Sequence, residues 1–199
     1  YAIKVCRVEP ENNVHVVLQA FARNPQHQLV VVGLWAHGEY GRAMRTAFGS
    51  FSNIHLLDPI YDRATIDMLR SNATMYVHGH SAGGTNPSLV EAMALELPVL
   101  AFDISYNRET TGHRAEYFHS AEDLSELLNT VTPSSLYLMG KTMKAIADKK
   151  YTWQRIAALY ANAIEGVEQT QEEIQLTHRL AHQQIELIRI RAAKELVNK

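Results

Sequence analysis

The residues that invite chemistry lie in one run, HGHSAGGTNPSLVEAMALELPVLAFD, from His78 to Asp103. It holds two adjacent glycines, Gly83 and Gly84, then Thr85, Asn86 and Pro87, and a lone carboxylate at Glu91. Glycines lose more backbone entropy on folding than other residues, so something should require the backbone there to be bare. Asn86 is a good helix N-cap and Pro87 a good first helical residue, which predicts a helix beginning at this point. The free N–H groups at such a start, together with the positive end of the helix dipole, favour an anion, and glycines let a phosphate approach closely. Glu91 lies one helical turn further on, on the side of Ser88, where a carboxylate can accept hydrogen bonds from a ribose diol. Amides for a diphosphate and a carboxylate for a sugar suit a nucleoside diphosphate. The same residues also suit a plain strand-to-helix turn with Glu91 exposed.

Other candidates are weaker. His78 and His80 alternate onto one face of a strand end, as a metal pair would, but no third ligand has matching spacing. They are read as ligand contact or packing, with no metal. His178 and His182 have metal-compatible i, i+4 spacing and are read as a surface coincidence. Arg108 and Glu109 either meet a ligand or pair locally. Arg42 and Arg45 read as solvated helix residues, and Trp153 as a core or domain-docking residue. Cys6, the single cysteine, reads as a small core residue. No Ser-His-Asp or Cys-His constellation stands out.

The elements that must position these residues alternate regularly. Apolar runs at 1–6, 28–33, 53–58, 74–79, 98–103 and 115–120 read as strands. Amphipathic stretches at 13–24, 38–48, 62–72 and 87–96 read as helices, with Asp62 a cap for the third. Valine, isoleucine and leucine runs without polar alternation indicate strands buried on both faces. Strand and helix in alternation imply an open, doubly wound α/β parallel sheet of Rossmann-like type. Ligands of such sheets bind at the carboxyl ends of strands beside a topological switch point. From Ser120 onward the pattern is helical, and Ser120 with Asp123 resembles a capping box.

Residues 167–199 contain no proline or glycine. Ile174, Ala181, Ile185, Ile188 and Ala192 recur at helical spacing. Glu168, Glu172 and Glu173 come early and Arg189, Arg191 and Lys194 late, which matches the helix dipole. One long amphipathic helix is expected, continuing the last helix of the domain, pairing with a partner helix in self-association, or covering an edge of a further portion.

The 199 residues suffice for one domain plus an extension, and 46% apolar composition supports a packed core. A net charge of −2 gives no electrostatic support to a nucleic-acid partner. One cysteine excludes an intramolecular disulfide framework and fits a reducing cytoplasm. No apolar run approaches the roughly 20 residues of a membrane span, and no signal peptide is recognisable. The chain starts directly on a strand pattern without methionine and reads as a fragment of something longer.

Several segments in order, CRVEPENNVHVVLQAF, QLVVVG, NIHLLDPIYDRATIDMLRSNATMYVHGHSAGGTNPSLVEAMALELPVLAFD and YTWQRIAALY, resemble the carboxyl-terminal, donor-binding half of GT-B fold glycosyltransferases of retaining family 4. EPENN, DPIYD, HGHSAGGTNPSLVEAM and NRE are more narrowly similar to rhamnosyltransferase-like enzymes of bacterial polysaccharide assembly. The resemblance covers about residues 1–165. It implies a nucleotide-sugar-binding domain at 1–166, a helical extension at 167–199, and an amino-terminal acceptor domain outside this chain. It implies that Arg7 and Glu91 act on the donor, Arg7 at the diphosphate and Glu91 at the ribose. Gly33 and the segment Asp58, Ile60 and Tyr61 would wall the nucleotide. His80, Gly83, Gly84, Thr85, Asn86 and Ser88 would meet sugar or diphosphate.

Two departures stand out. The family pattern has two glutamates separated by seven residues, and the earlier one is Gly83 here. The family lysine after the first strand falls on Asn12. The missing carboxylate implies a changed donor sugar, with fewer hydroxyls to bind, such as rhamnose. No cofactor is expected beyond the nucleotide-diphosphate sugar itself. The expected partners are that donor, a glycan or lipid-linked acceptor and the amino-terminal domain, at the cytoplasmic side of a membrane. The competing readings are a non-catalytic nucleotide-sugar-binding or assembly module and a sugar-nucleotide epimerase of the same fold.

Overall fold

The computed structural model describes residues 1–165. They fall in two units, one spanning Tyr1–Thr152 and one beginning at Trp153. The anticipated helix at 167–199, with His178 and His182, lies outside the described residues.

In the first unit, six strands form one parallel sheet. They are β1 (Ala2–Val5), β2 (Leu29–Val32), β3 (Ile54–Leu57), β4 (Met75–His78), β5 (Val99–Phe102) and β6 (Glu116–Phe118), in the order β3-β2-β1-β4-β5-β6. The chain winds outward from β1 to β3, then returns to place β4 on the other side of β1. That reversal makes the β1/β4 seam the switch point. The central strands are buried on both faces, which explains why their sequences are unbroken apolar runs. Edge strands β3 and β6 carry exposed positions.

Seven helices accompany the sheet: α1 (Val14–Ala22), α2 (Gly38–Phe48), α3 (Arg63–Ser71), α4 (Pro87–Ala94), α5 (Ser105–Thr110), α6 (Ala121–Thr130) and α7 (Pro133–Lys150). Period-two alternation divides the core. Ala2, Leu29, Val31, Val77 and Leu100 face one side, packed with Val17, Leu18 and Phe21 of α1 and Leu124 of α6. Ile3, Val30, Tyr76 and Val99 face the other, packed with Leu89 and Met93 of α4 and Met143 of α7. Each such large apolar side chain contributes about 1.5–3 kcal/mol on burial.

Local chemistry sets the helix starts. Asp62 accepts the N–H of Thr65 and starts α3. Asn86 accepts the N–H of Ser88 and starts α4, with Pro87 at its first position. Ser120 accepts the N–H of Asp123. The Asp123 carboxylate accepts instead from the His119 N–H at 2.9 Å, one residue before the cap, so the reciprocal bond of a full box is not made. A complete box forms instead at Thr132 and Ser135 on α7. The SYNRET segment, assigned to no element in the sequence, forms α5. Its six residues are too few to show a helical period.

The second unit contributes one described helix, α8 (Trp153–Glu165). Trp153, read as a core or domain-docking residue, is 84% exposed, so the core alternative does not hold.

Candidate functional site

The carboxyl ends of β1 and β4 open into a crevice of about 480 Å³. Its lining includes Arg7, His80, Gly83, Gly84, Thr85, Asn86 and Ser88, seven of the residues the resemblance assigns to the donor, together with Cys6, Glu11 and Asn12. The loop leaving β4 is tied to its neighbours. Ser81 donates its N–H and hydroxyl to the Glu11 carbonyl at 2.8 and 2.9 Å, and the Asn13 amide donates to the Gly79 carbonyl at 3.0 Å. On the other side, the Asn107 amide donates to the carbonyls of His80 and Phe102, both at 2.9 Å. The loop is therefore fixed while its glycine tip stays open.

The two glycines differ. Gly83 has φ +112°, a conformation that a side chain strains. Gly84 has no positive φ, and a Cβ built on it meets nothing within 4 Å. Nothing inside the described chain requires Gly84 to be bare. Gly33 contrasts with both, because a Cβ there would lie 2.7 Å from the Cys6 carbonyl and from Val8. Its bareness serves the packing of β2's exit against β1's exit.

The Gly83, Gly84, Thr85 and Asn86 amides donate to no acceptor among the described residues. The Ser88 amide does not join them, since the Asn86 side chain takes it at 2.9 Å. Unengaged amides in a glycine loop that leads into a helix are the kind of donors an anion takes. Arg7 also lines the crevice, its side chain 82% exposed and held, among the described residues, only by a 3.7 Å contact to Glu9. The Thr85 hydroxyl turns away toward the Thr110 hydroxyl, 3.4 Å distant.

His78 and His80 stack at 4.4 Å between centroids, 10° from parallel, and Tyr76 continues the column. His78 is fully buried with neither ring nitrogen partnered. Burial, then His80 and Lys4, hold its pKa well below the usual histidine value. Burial also pushes His80 down, to about 3, with Lys4 and Arg7 adding to the effect. Both rings are neutral at pH 7. Lys4, unremarked in the sequence, is buried with its amine unpartnered, and burial lowers its pKa. Among the described residues no group of three or more His, Cys, Asp or Glu is placed to hold a metal.

The remaining candidates are placed elsewhere. Asp58 pairs with Arg45 at 2.8 Å on the surface, and Arg45 is an exposed helix residue as expected. Ile60 packs half-buried against the α4-side core, and Tyr61 is 88% exposed. Arg42 donates to the Ala36 carbonyl at 3.1 Å. Arg108 pairs with Asp103 at 2.5 Å and lies over the Tyr117 ring, so its ion pair is with Asp103 rather than Glu109. Cys6 is half-buried: it packs against the α1-side core, as expected, and also lines the crevice. Glu91 is 37% exposed and forms a 2.7 Å ion pair with Arg70 of α3. Sequence reasoning passed over Arg70 because a single arginine on an amphipathic helix carries no signal.

The family model for glycosyl transferases group 1 matches residues 1–150. The chain belongs to that family. Among solved structures it is similar to HepE of Anabaena in complex with UDP, with a TM-score of 0.73 and 19% identity over 84% of this chain and 49% of that one. It is similar to sucrose-phosphate synthase of Thermosynechococcus elongatus, with a TM-score of 0.72 and 18% identity over 83% of this chain and 45% of that one. The C-terminal domain of a glycosyl transferase group 1 protein, LpcC of Francisella tularensis, gives 0.63 and 17% identity over 77% of this chain and 87% of that domain. No curated protein matches the sequence. The chain spans about half the length of the first two of these structures. The six-stranded Rossmann-like sheet is that of the carboxyl-terminal half of GT-B glycosyltransferases. No described helix is long and apolar enough to cross a membrane.

Proposed function

We propose that this chain is the donor-binding half of an enzyme that transfers a sugar from a nucleoside-diphosphate donor. The observation that carries the reading is Gly84: it lines the crevice, sits among four unengaged amides, and has no reason within the fold to lack a side chain. HepE, a fold neighbour, is described with UDP and with UDP-glucose.

As the bond to the anomeric carbon breaks, negative charge grows on the departing diphosphate. Arg7 and the amides of residues 83–86, whose residues line the crevice, would stabilise it, and preorganised donors of this kind are effective catalysts. Retention of configuration follows the family-4 resemblance. Gly83, standing where the family has a glutamate, supports a donor sugar with fewer hydroxyls, such as rhamnose. A glycan or lipid-linked acceptor would bind on an amino-terminal domain, at the cytoplasmic face of a membrane. Neither transfer nor binding calls for a metal or cofactor in this reading.

Calorimetric titration of the chain with UDP, GDP, ADP and dTDP tests it. One nucleotide should bind. Arg7→Ala should weaken it by about 10- to 100-fold, the value of a charge-assisted hydrogen bond. Gly84→Ala should weaken it comparably while leaving the melting temperature unchanged or slightly raised, since the new methyl meets no atom of the chain. Equal affinity for wild type and both variants would refute the assignment.

A further inference from the structure

Behind the wall of the crevice lies a group of buried polar atoms that the fold leaves without partners. Lys4 of β1 is fully buried, and its amine has no hydrogen-bond or ion-pair partner among the described residues. Both ring nitrogens of His78 and Nδ1 of His80 are buried and unpartnered with it. A Cβ built on Gly79, between the two histidines, would lie 2.8 Å from Lys4 Nζ and 2.5 Å from the Asn12 carbonyl oxygen. The amine and the Asn12 backbone therefore flank one bare position, and Asn12 and His80 both line the crevice. The groups within reach of the amine's charge are Cys6 on its own strand and His78 and His80 at the end of β4. Arg7 acts in turn on His80 and Glu9 on Cys6, while Glu11 stands in the crevice wall. Of these only Cys6 would favour a charged amine, and burial pushes its thiol pKa up, so it stays protonated. A charge in so dry a place is costly without a counter-charge. Lys4 has none inside the described chain, and it lies at the seam where an anion would bind.

Resting on the donor reading above, we propose that Lys4 is a buried counter-charge for the donor's diphosphate, its amine taking up one proton from solvent as the diphosphate enters the crevice. Without ligand, burial favours the neutral amine. The diphosphate brings negative charge to the wall that Asn12 and His80 form, and charges separated by protein rather than water act on each other strongly. An opposite charge within about 4–6 Å moves a pKa by about 1–3 toward the charged form. Binding thus raises the pKa of Lys4, and linkage requires that a proton bind with the donor. The sign follows from this. Affinity is greatest below the pKa of the free amine, falls between that value and the raised bound value, and levels off above it. Lys4 needs no contact with the ligand to do this.

The test titrates the chain calorimetrically with UDP-glucose, whose doubly esterified diphosphate takes up no proton near neutrality, and with GDP, ADP and dTDP sugars if it does not bind. Each titration runs from about pH 6 to pH 9 in two buffers of different ionisation enthalpy, which counts the protons bound. Wild type should take up about one proton per ligand at the maximum, and its affinity should fall by about 10- to 1,000-fold from the acid to the alkaline end. Lys4→Met keeps the stem and removes the charge, and it should bind without proton uptake. Its affinity should match wild type at the alkaline end and trail it at the acid end by that same factor. A folding defect weakens binding at every pH and does not produce this convergence. Removing an unpaired buried charge should leave the fold intact, and Lys4→Leu reads the same curve if Lys4→Met does not fold. Proton uptake that persists in the Lys4 variant places the proton elsewhere, at His80 first, and overturns the proposal. So does wild-type binding without proton uptake at any pH, which leaves the donor site itself standing. Absence of binding by every nucleotide sugar in the series overturns the donor reading, and this proposal with it.

Discussion

His78 and His80 show what a single residue can impose on the chain. Both rings are neutral when folded, His78 because it is wholly buried and His80 because burial holds its pKa near 3. In the unfolded chain they take up protons near pH 6.5. Between that pH and the lowered folded values the unfolded state holds more protons, so stability falls as pH falls. The slope approaches about 1.4 kcal/mol per pH unit for a fully buried histidine and is smaller for the partly exposed His80. Melting temperature should therefore decline from pH 7 towards pH 4.5, ahead of the window in which Asp62, Asp103, Glu122 and Asp123 protonate, whose hydrogen bonds lower their pKa values. His78→Phe keeps an aromatic ring in the column and should flatten that decline. Parallel curves for the two proteins would refute the account. The H-x-H spacing was legible as a shared face, but not the stacking, nor Lys4 beneath the loop. Lys4 interrupts an apolar strand run by one residue, and a period-two pattern says nothing of what a long side chain reaches.

At the scale of elements, the sheet was readable because burial on both faces writes itself as unbroken valine and leucine. The helix starts at Asp62 and Asn86 were readable because capping is local. Pairings that cross the sequence were not: Arg70 with Glu91 depends on α3 lying beside α4, and Asp58 with Arg45 on α2 lying beside the exit of β3. The close approach of α4 and α7 is of the same kind. Gly140 sits in the middle of α7, where alanine would ordinarily raise helix propensity by up to about 1 kcal/mol. A Cβ there would lie 2.3 Å from the Glu96 carbonyl oxygen, at the left-handed residue that ends the α4 turn. Backbone cannot yield as a side-chain tip can, and overpacking of this sort costs about 1–3 kcal/mol. Gly140→Ala should thus lower the melting temperature by several degrees, at roughly 2–4 °C per kcal/mol for a unit of this size. Gly84→Ala, whose methyl meets nothing, serves as the control. An unchanged or raised melting temperature for Gly140→Ala would mean that α7 packs more loosely than its geometry indicates.

For the whole molecule, the crevice itself bears on activity. Arg7 and the glycine loop face open solvent along one side. A cation in water attracts a charge 4 Å away by about 1 kcal/mol, and by several times that once solvent is excluded. On the reading proposed above, transfer also needs an acceptor hydroxyl held in place of water, and the crevice is one wall of such a site. The chain spans about half the length of HepE and of the sucrose-phosphate synthase that share its fold. The 199-residue chain should therefore bind its nucleotide, yet transfer no measurable sugar from UDP-glucose or dTDP-rhamnose to added glycan acceptors. The same domain joined to an amino-terminal GT-B half should transfer, and Arg7→Ala in that protein should slow transfer more than it weakens ground-state binding. That separation is read by comparing kcat/KM with the calorimetric affinity, because charge on the leaving diphosphate peaks in the transition state. Transfer by the 199 residues alone would show that one wall suffices. Equal losses in binding and rate would reduce Arg7 to an anchor for the donor and leave the amides at the start of α4 as the chain's means of stabilising the leaving group.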